Sequence, residues 1–226
     1  MRMTYFIVTG FGPFGQVVDN PTQRLVELVN DQKSNLPINI IQTAICKVSL
    51  QDVDREHAEI TSMCRNIAKT ARESPSNPSP TKTRAIVIVH LGVAERAEEI
   101  RLETCAYNEC SFRIPDQDGQ QPVSQSIDRL KSVGDVKKCC LPLEKIVERV
   151  HQSDLPVVLS DDAGRYLCNY IYYKSLKLCD SHECEGVTIH SLFVHVPPFE
   201  SGIFKEDLQF EFLINLLERI QEELTE

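Results

Sequence analysis

The 226-residue chain predicts a single α/β domain spanning residues 1–226, with a mostly parallel twisted sheet flanked by helices on both faces. Three observations carry that prediction. Short apolar runs rich in Val and Ile alternate with longer segments whose apolar residues recur at helical spacing, the pattern of strands joined through helical crossovers. Glycine, proline and short polar residues punctuate the junctions. The chain is also long enough for one substantial core, and it carries no internal repeat. In such a sheet ligands bind beyond the carboxyl ends of the strands, so the functional residues are expected there.

The first strand covers residues 5–9, and the loop at 10–15 reads GFGPFG. It formally matches GxGxxG, yet a dinucleotide site needs a helix starting on the last glycines and an acidic residue ending the next strand. Asn20-Pro21 is the better helix start, an N-cap followed by proline at the first helical position. The second strand, 38–48, carries Lys47 near its end. Pro13 removes a backbone donor from any phosphate cradle. The loop is therefore read as a glycine-hinged display of Phe11 and Phe14, and no cofactor is expected.

Leu25, Val26, Leu28 and Val29 place a helix over 21–29, and Val53, His57, Ile60, Cys64 and Ile67 continue helical spacing in a second, with His57 at the edge of the core. Residues 73–83, rich in Pro and Ser, read as a mobile surface insertion before a strand at 85–91. The region 92–122 is the least regular. Glu95, Glu98, Glu99, Glu103 and Glu109 all lie there, and spacing does not choose among them; Ile100 and Leu102 mark a short extended segment. A polar stretch, 124–140, ends in the vicinal pair Cys139-Cys140. Leu141-Pro142 then opens a helix carrying Leu143, Ile146, Val147 and Val150, and a strand follows at 157–159. Leu208, Phe212, Leu216, Ile220 and Leu224 give the last helix, 205–224, an apolar face that closes the core.

Two stretches point to chemistry. SDDAGRYLCNYIYY, residues 160–173, follows the apolar run PVVL and acquires helical spacing, so Cys168 is expected in the first turns of a helix that starts at a strand's carboxyl end. The helix N-terminus favours an anionic sulfur there, and nearby backbone N–H groups can receive an oxyanion. VTIHSLFVHVPP ends in His195, with Pro197 and Pro198 stopping the strand, so an imidazole emerges at the edge of the same sheet. A thiol and an imidazole brought together in this way form a nucleophile–base pair.

Composition excludes other classes. A formal charge of −9, from 33 acidic against 24 basic residues, argues against a nucleic-acid partner, and basic residues do not cluster with aromatics. No stretch approaches the ~20 apolar residues that span a bilayer, and the apolar run near the N-terminus is too short for a signal sequence, so no membrane association is expected. Nine cysteines, an odd number, suit reduced thiols in a soluble cytoplasmic protein better than a disulfide scaffold. Cys179, His182 and Cys184 fit no familiar zinc spacing, and no metal is expected.

Four blocks in order then show a resemblance: TGFGPFG with NP after it, residues 9–21; LE..AYN around Glu103; SDDAGRYLCN; and FVHVPP. Together they resemble the type I pyroglutamyl peptidase family, cysteine peptidases that remove an N-terminal pyroglutamate from peptides. The resemblance implies Cys168 as nucleophile, His195 as base and acid, and Glu103, the glutamate preceding A-x-N, as the residue orienting His195. Asp116, in the block RIPD, is the rival for that last role. It implies that Phe11 and Phe14 wall an apolar pocket for the pyrrolidone ring, and that Asn20, Arg113 and Ile114 join them in binding substrate. Val93, Ala94 and Glu95 stand where the bacterial members carry GGR. Pyroglutamyl peptides are the implied substrates, and the protein is expected as a monomer or homo-oligomer. Two alternatives stay open: another small cysteine amidase or thioesterase, and a non-catalytic binding protein of the same fold.

Overall fold

β1 (Met3–Phe11) runs past the expected end at Thr9, because Gly10 and Phe11 still pair with Ile45 and Cys46 of β2 (Asn39–Cys46). The structure is a computed structural model that describes residues 3–73, 84–150, 155–199 and 204–225. Between the two strands lies α1 (Pro21–Gln32). Asn20 caps it: its Oδ1 accepts from Thr22 N–H at 3.0 Å, and Pro21 takes the first helical position. A Cβ on Gly10 would lie 2.7 Å from Thr22 O, so only glycine lets the end of β1 pack so closely on the start of α1.

α2 (Leu50–Glu73) is longer at both ends than the apolar periodicity indicates. Its first turn is held from two sides, with Ser49 Oγ accepting from Asp52 N–H and Asp116 Oδ2 accepting from Leu50 N–H at 2.8 Å. The insertion expected at 73–83 lies outside the described residues, apart from Glu73, which ends α2. β3 (Arg84–Val93) and β4 (Ile100–Glu103) follow; β5 (Cys105–Tyr107) and β6 (Val136–Lys138) pair as a separate antiparallel ribbon. Then come α3 (Leu143–Val150), β7 (Val157–Ser160), α4 (Leu167–Cys179), β8 (Val187–Val196) and α5 (Glu206–Thr225). No helix among the described residues is long and apolar enough to cross a membrane.

Among the described residues six strands form the main sheet in the order β2-β1-β3-β8-β4-β7. β2, β1, β3 and β8 are parallel; β4 runs antiparallel to β8, and β7 runs parallel to β4. The α/β class with a mostly parallel sheet is as the sequence predicts, with one difference that matters for the site. β7 points the opposite way to β8, with its last residue, Ser160, level with Phe193, so α4 does not start at the carboxyl end of its own leading strand. Six residues, 161–166, first carry the chain back, and Gly164 turns it with φ of +78°, a conformation that glycine adopts without strain. The N-terminus of α4 thereby reaches the carboxyl ends of β3 and β8. Nor is β8 at an edge: it lies between β3 and β4.

Strand alternation sorts side chains onto two faces. Val87, Val89 and Leu91 of β3 and Leu192, Val194 and Val196 of β8 pack under α1, α3 and α5. Ile86, Ile88, Phe193 and the rest of the opposite set meet α2 and α4. His90 belongs to that second face, fully buried between Thr9 Oγ1 and Ser175 Oγ, each 2.7 Å from a ring nitrogen.

Candidate active site

His195 and Phe193 share the α4 face of β8, as alternation requires, while Val194 and Val196 enter the opposite core. On β4, Ile100 and Leu102 also enter that opposite core, which leaves Arg101 and Glu103 on the α4 face. The antiparallel register sets Glu103 opposite Phe193 and Arg101 opposite His195. Glu103 is therefore the diagonal neighbour of His195, a relation long side chains can close. Glu103 Oε1 lies 2.7 Å from His195 Nδ1. The carboxylate is fully buried and the imidazole 9 % exposed, with the Phe193 ring against the imidazole at a centroid separation of 4.7 Å.

Cys168 stands in the first turn of α4, half-buried, and lines the same cavity as His195. Burial opposes a charge on the His195 ring, but its interactions with Cys168 and with the Glu103 carboxylate outweigh that and raise the imidazole to about 9. Beneath the thiol lies Gly92 of β3: a Cβ there would be 3.1 Å from Cys168 Sγ and 2.6 Å from the Phe193 ring. The strand glycine is what lets the helix that carries Cys168 approach the sheet. Burial pushes the thiols of Cys64 and Cys110 up to about 12 and that of Cys139 to about 11, and it raises those of Cys46, Cys105, Cys140, Cys179 and Cys184 as well.

Asp116 does not reach the histidine. Its Oδ2 accepts from Leu50 N–H, and its Oδ1 from the N–H groups of Asp118 and Gln120 at 2.9 and 2.8 Å, so the side chain is consumed in closing its own loop against α2.

A cavity of about 550 Å³ opens over Cys168 and His195. Phe11, Phe14, Asn20, Arg113 and Ile114 all line it. Phe11 is buried and serves both the core and the cavity wall. Phe14 is half-buried and stacks on Tyr166 at 5.8 Å, and Tyr166 in turn packs on Phe112 at 4.3 Å. Asn20 has its polar atoms turned inward, with Nδ2 donating to Gly12 O at 2.9 Å and Oδ1 capping α1, so it braces the loop rather than presenting a free amide. Arg113 and Ile114 form an exposed rim.

Several residues here escaped sequence reasoning. Tyr166 and Val48 line the cavity, and the place of Tyr166 directly before the helix was the available signal for the first. Asn169, fully buried, accepts from Tyr107 N–H at 2.8 Å and donates to Tyr107 O and Glu109 O at 2.8 and 2.9 Å. Tyr172 Oη donates to Glu103 O at 2.7 Å. The helix that carries Cys168 is thus fastened to the segment that carries Glu103. Arg165 adds a third tie, lying 3.8 Å over the Tyr107 ring and pairing with Glu109 and Asp162.

The family model described as pyroglutamyl peptidase matches residues 4–209. The chain belongs to the pyroglutamyl peptidase family. A pyrrolidone-carboxylate peptidase of Thermococcus litoralis is 27 % identical over 195 residues, covering 86 % of this chain and 77 % of the relative. The solved pyrrolidone carboxyl peptidase of Fervidobacterium islandicum superimposes with a TM-score of 0.73 at 27 % identity, covering 98 % of this chain and 99 % of the other. The solved T. litoralis pyrrolidone carboxyl peptidase gives a TM-score of 0.74 at 20 % identity over 98 % and 95 % of the two chains, a likeness of fold. Within this pyroglutamyl peptidase fold, the reversed β4–β7 pair and the long return loop before α4 are what bring thiol, imidazole and carboxylate to one place.

Proposed function

We propose that this protein hydrolyses the amide bond following an N-terminal pyroglutamyl residue, with Cys168 as nucleophile. The sulfur attacks the pyroglutamyl carbonyl carbon, forming the C–S bond and moving the carbonyl electrons onto oxygen. The N–H groups of the first turn of α4 receive that oxyanion, since they precede the first intrahelical bond, from Tyr170 N–H to Tyr166 O at 3.1 Å. The C–N bond breaks as His195 gives its proton to the departing amine. His195 then takes a proton from water, whose oxygen attacks the thioester and releases pyroglutamate and the thiolate. Glu103, held on Nδ1, fixes the tautomer that leaves Nε2 for Cys168 and substrate, and it stabilises the imidazolium.

The observation that carries this reading is the line from Cys168 through His195 to a buried Glu103 beneath a cavity walled by Phe11, Phe14 and Tyr166. A flat lactam without a free amine suits the aromatic walls; of the two carboxylates lining the cavity, Glu109 is paired with Arg165 at 3.3 Å and Glu95 lies on the lining shared with the neighbouring groove. All nine cysteines are free thiols, which fits work in the reducing cytoplasm.

The test is a set of fluorogenic amides that differ in the acyl group alone. Pyroglutamyl amide should be cleaved at least about a hundredfold faster, by kcat/KM, than alanyl, leucyl or prolyl amides, because the aromatic pocket fits the flat lactam ring. Equal rates across the set would point to a general amidase, and binding of pyroglutamyl amides without cleavage of any would point to a binding protein.

A further inference from the structure

The cavity around Cys168 does not end at His195. A second groove, of about 900 Å³, shares Val17, Asn20 and Glu95 with it. The two are arranged by the reaction's own polarity. The aromatic end, at Phe14 and Tyr166, suits the pyroglutamyl ring, and the amine departs toward the imidazole that protonates it. Beyond the imidazole come the segments that follow β8 and β3. Pro198 and Phe199 line the groove, and Ala94 N–H donates to Val196 O at 2.9 Å, which sets Glu95 beside the strand end that bears His195.

The groove is acidic. Asp19, Glu27, Glu95 and Glu206 line it against one guanidinium, Arg24, and that cation is already engaged by Glu206 at 3.1 Å and Glu27 at 3.7 Å. Glu95 and Asp19 are exposed. Glu95 alone among these carboxylates lines both the catalytic cavity and the groove, so it stands where the first residue of the leaving peptide must pass.

We infer that this groove receives the leaving peptide and that Glu95 selects pyroglutamyl peptides with a lysine or arginine directly after the pyroglutamyl residue. The inference rests on the peptidase reading above. The carboxylate attracts the cation as the substrate settles and repels an acidic residue in the same place, giving discrimination in both directions. Because the side chain is solvated, the effect is modest and screened by salt.

The experiment compares kcat/KM for pyroglutamyl tripeptides with Lys, Ala or Glu in second position, on wild type, Glu95→Gln and Glu95→Lys, at low and high salt, beside a pyroglutamyl fluorogenic amide. Wild type should rank Lys over Ala over Glu, with about two- to fivefold at each step at low salt and less at high salt. Glu95→Gln should flatten the series, and Glu95→Lys should invert it. A flat series on wild type that still cleaves the fluorogenic amide, or a ranking that Glu95→Lys leaves unchanged, would overturn the inference while sparing the peptidase reading. Absence of cleavage of every pyroglutamyl substrate by folded wild type would remove the peptidase reading itself.

Discussion

Glu103 Oε1 lies 2.7 Å from His195 Nδ1, across two adjacent strands that run in opposite directions. The pairing is possible because β4 reverses in a sheet whose other side is parallel: Arg101 faces His195 directly, and Glu103 reaches it on the diagonal. Glu103 Oε2 is buried without a hydrogen-bond partner among the described residues, so the imidazole is the group that balances the buried carboxylate. Carboxylate and imidazole therefore act as one unit.

The pH behaviour of activity follows. His195 is raised from 6.5 to about 9, so its charged form persists through neutral pH and is lost as pH rises through about 9. The stability this charge contributes is likewise complete below 6.5 and lost toward the folded value. A pH profile of kcat/KM should fall on the alkaline side near 9. Glu103→Gln should move that limb down by about one unit and lower kcat on the order of a hundredfold, with a smaller change in KM. An unmoved limb would mean that Glu103 does not hold the imidazole's charge.

Gly92→Ala should damage the site more than the fold. The added methyl meets the Phe193 ring at 2.6 Å and Cys168 Sγ at 3.1 Å, so ring, thiol or strand must move. Overpacking of this kind costs about 1–3 kcal/mol, measurable as a shift in urea midpoint. Turnover should drop by a larger factor than that stability loss explains. Wild-type turnover in the variant would show that the thiol tolerates displacement.

Asn169→Ala removes a side chain that satisfies three backbone groups at once. Each one left buried and unpaired costs about 1–3 kcal/mol, and local relaxation keeps the sum below simple addition. Chemical denaturation should register a loss of about 3 kcal/mol. Kcat should fall with it, since the first turn of α4 loses its tie to the segment after Glu103; the split between kcat and KM separates that effect from lost binding.

Phe14→Ala should chiefly raise KM for pyroglutamyl substrates, by about tenfold, the value of roughly half a buried aromatic side chain. Steady-state kinetics with a pyroglutamyl amide gives the answer directly. An unchanged KM would remove Phe14 from the pocket.

Acid should destabilise the fold through His90. Burial lowers this imidazole from 6.5 to about 3, so the unfolded chain binds a proton that the folded one refuses. Its contribution is complete above 6.5 and is lost as pH falls toward 3, at about 1.4 kcal/mol per pH unit. His57, lowered to about 4 by burial and by Lys174, acts in the same direction, while burial raises Glu56 to about 7 and opposes them between 4.5 and 7. Comparing urea midpoints at pH 7.5 and 5.5 for wild type and His90→Asn isolates the histidine, because the other two groups are common to both proteins. The variant should show the shallower loss.

Much of this was legible in the sequence because alternation is local. The run FVHV assigns Phe193 and His195 to one face without knowledge of the neighbours, and Asn20-Pro21 announces the start of α1. What escaped depends on partners far along the chain. Spacing alone could not choose among five glutamates, and the family resemblance had to single out Glu103, because only the β4–β8 register makes it diagonal to His195. The return loop at 161–166 hid the true relation of Cys168 to the sheet, since nothing in PVVLSDDAG states that β7 opposes β8. The extra turn at the start of α2 likewise owes its order partly to Asp116, 66 positions from Leu50.

The most direct test of the central claim is release of a fluorescent amine from its pyroglutamyl amide by wild type and by Cys168→Ala, each with and without a thiol reductant. Cys168→Ala is the cleaner variant because it keeps the His195–Glu103 pair intact, whereas His195→Ala would strand a buried carboxylate. The account predicts turnover by reduced wild type, less without reductant, and none above background in Cys168→Ala with its fold retained. Turnover that survives in Cys168→Ala, or its absence in folded and reduced wild type, would contradict the account.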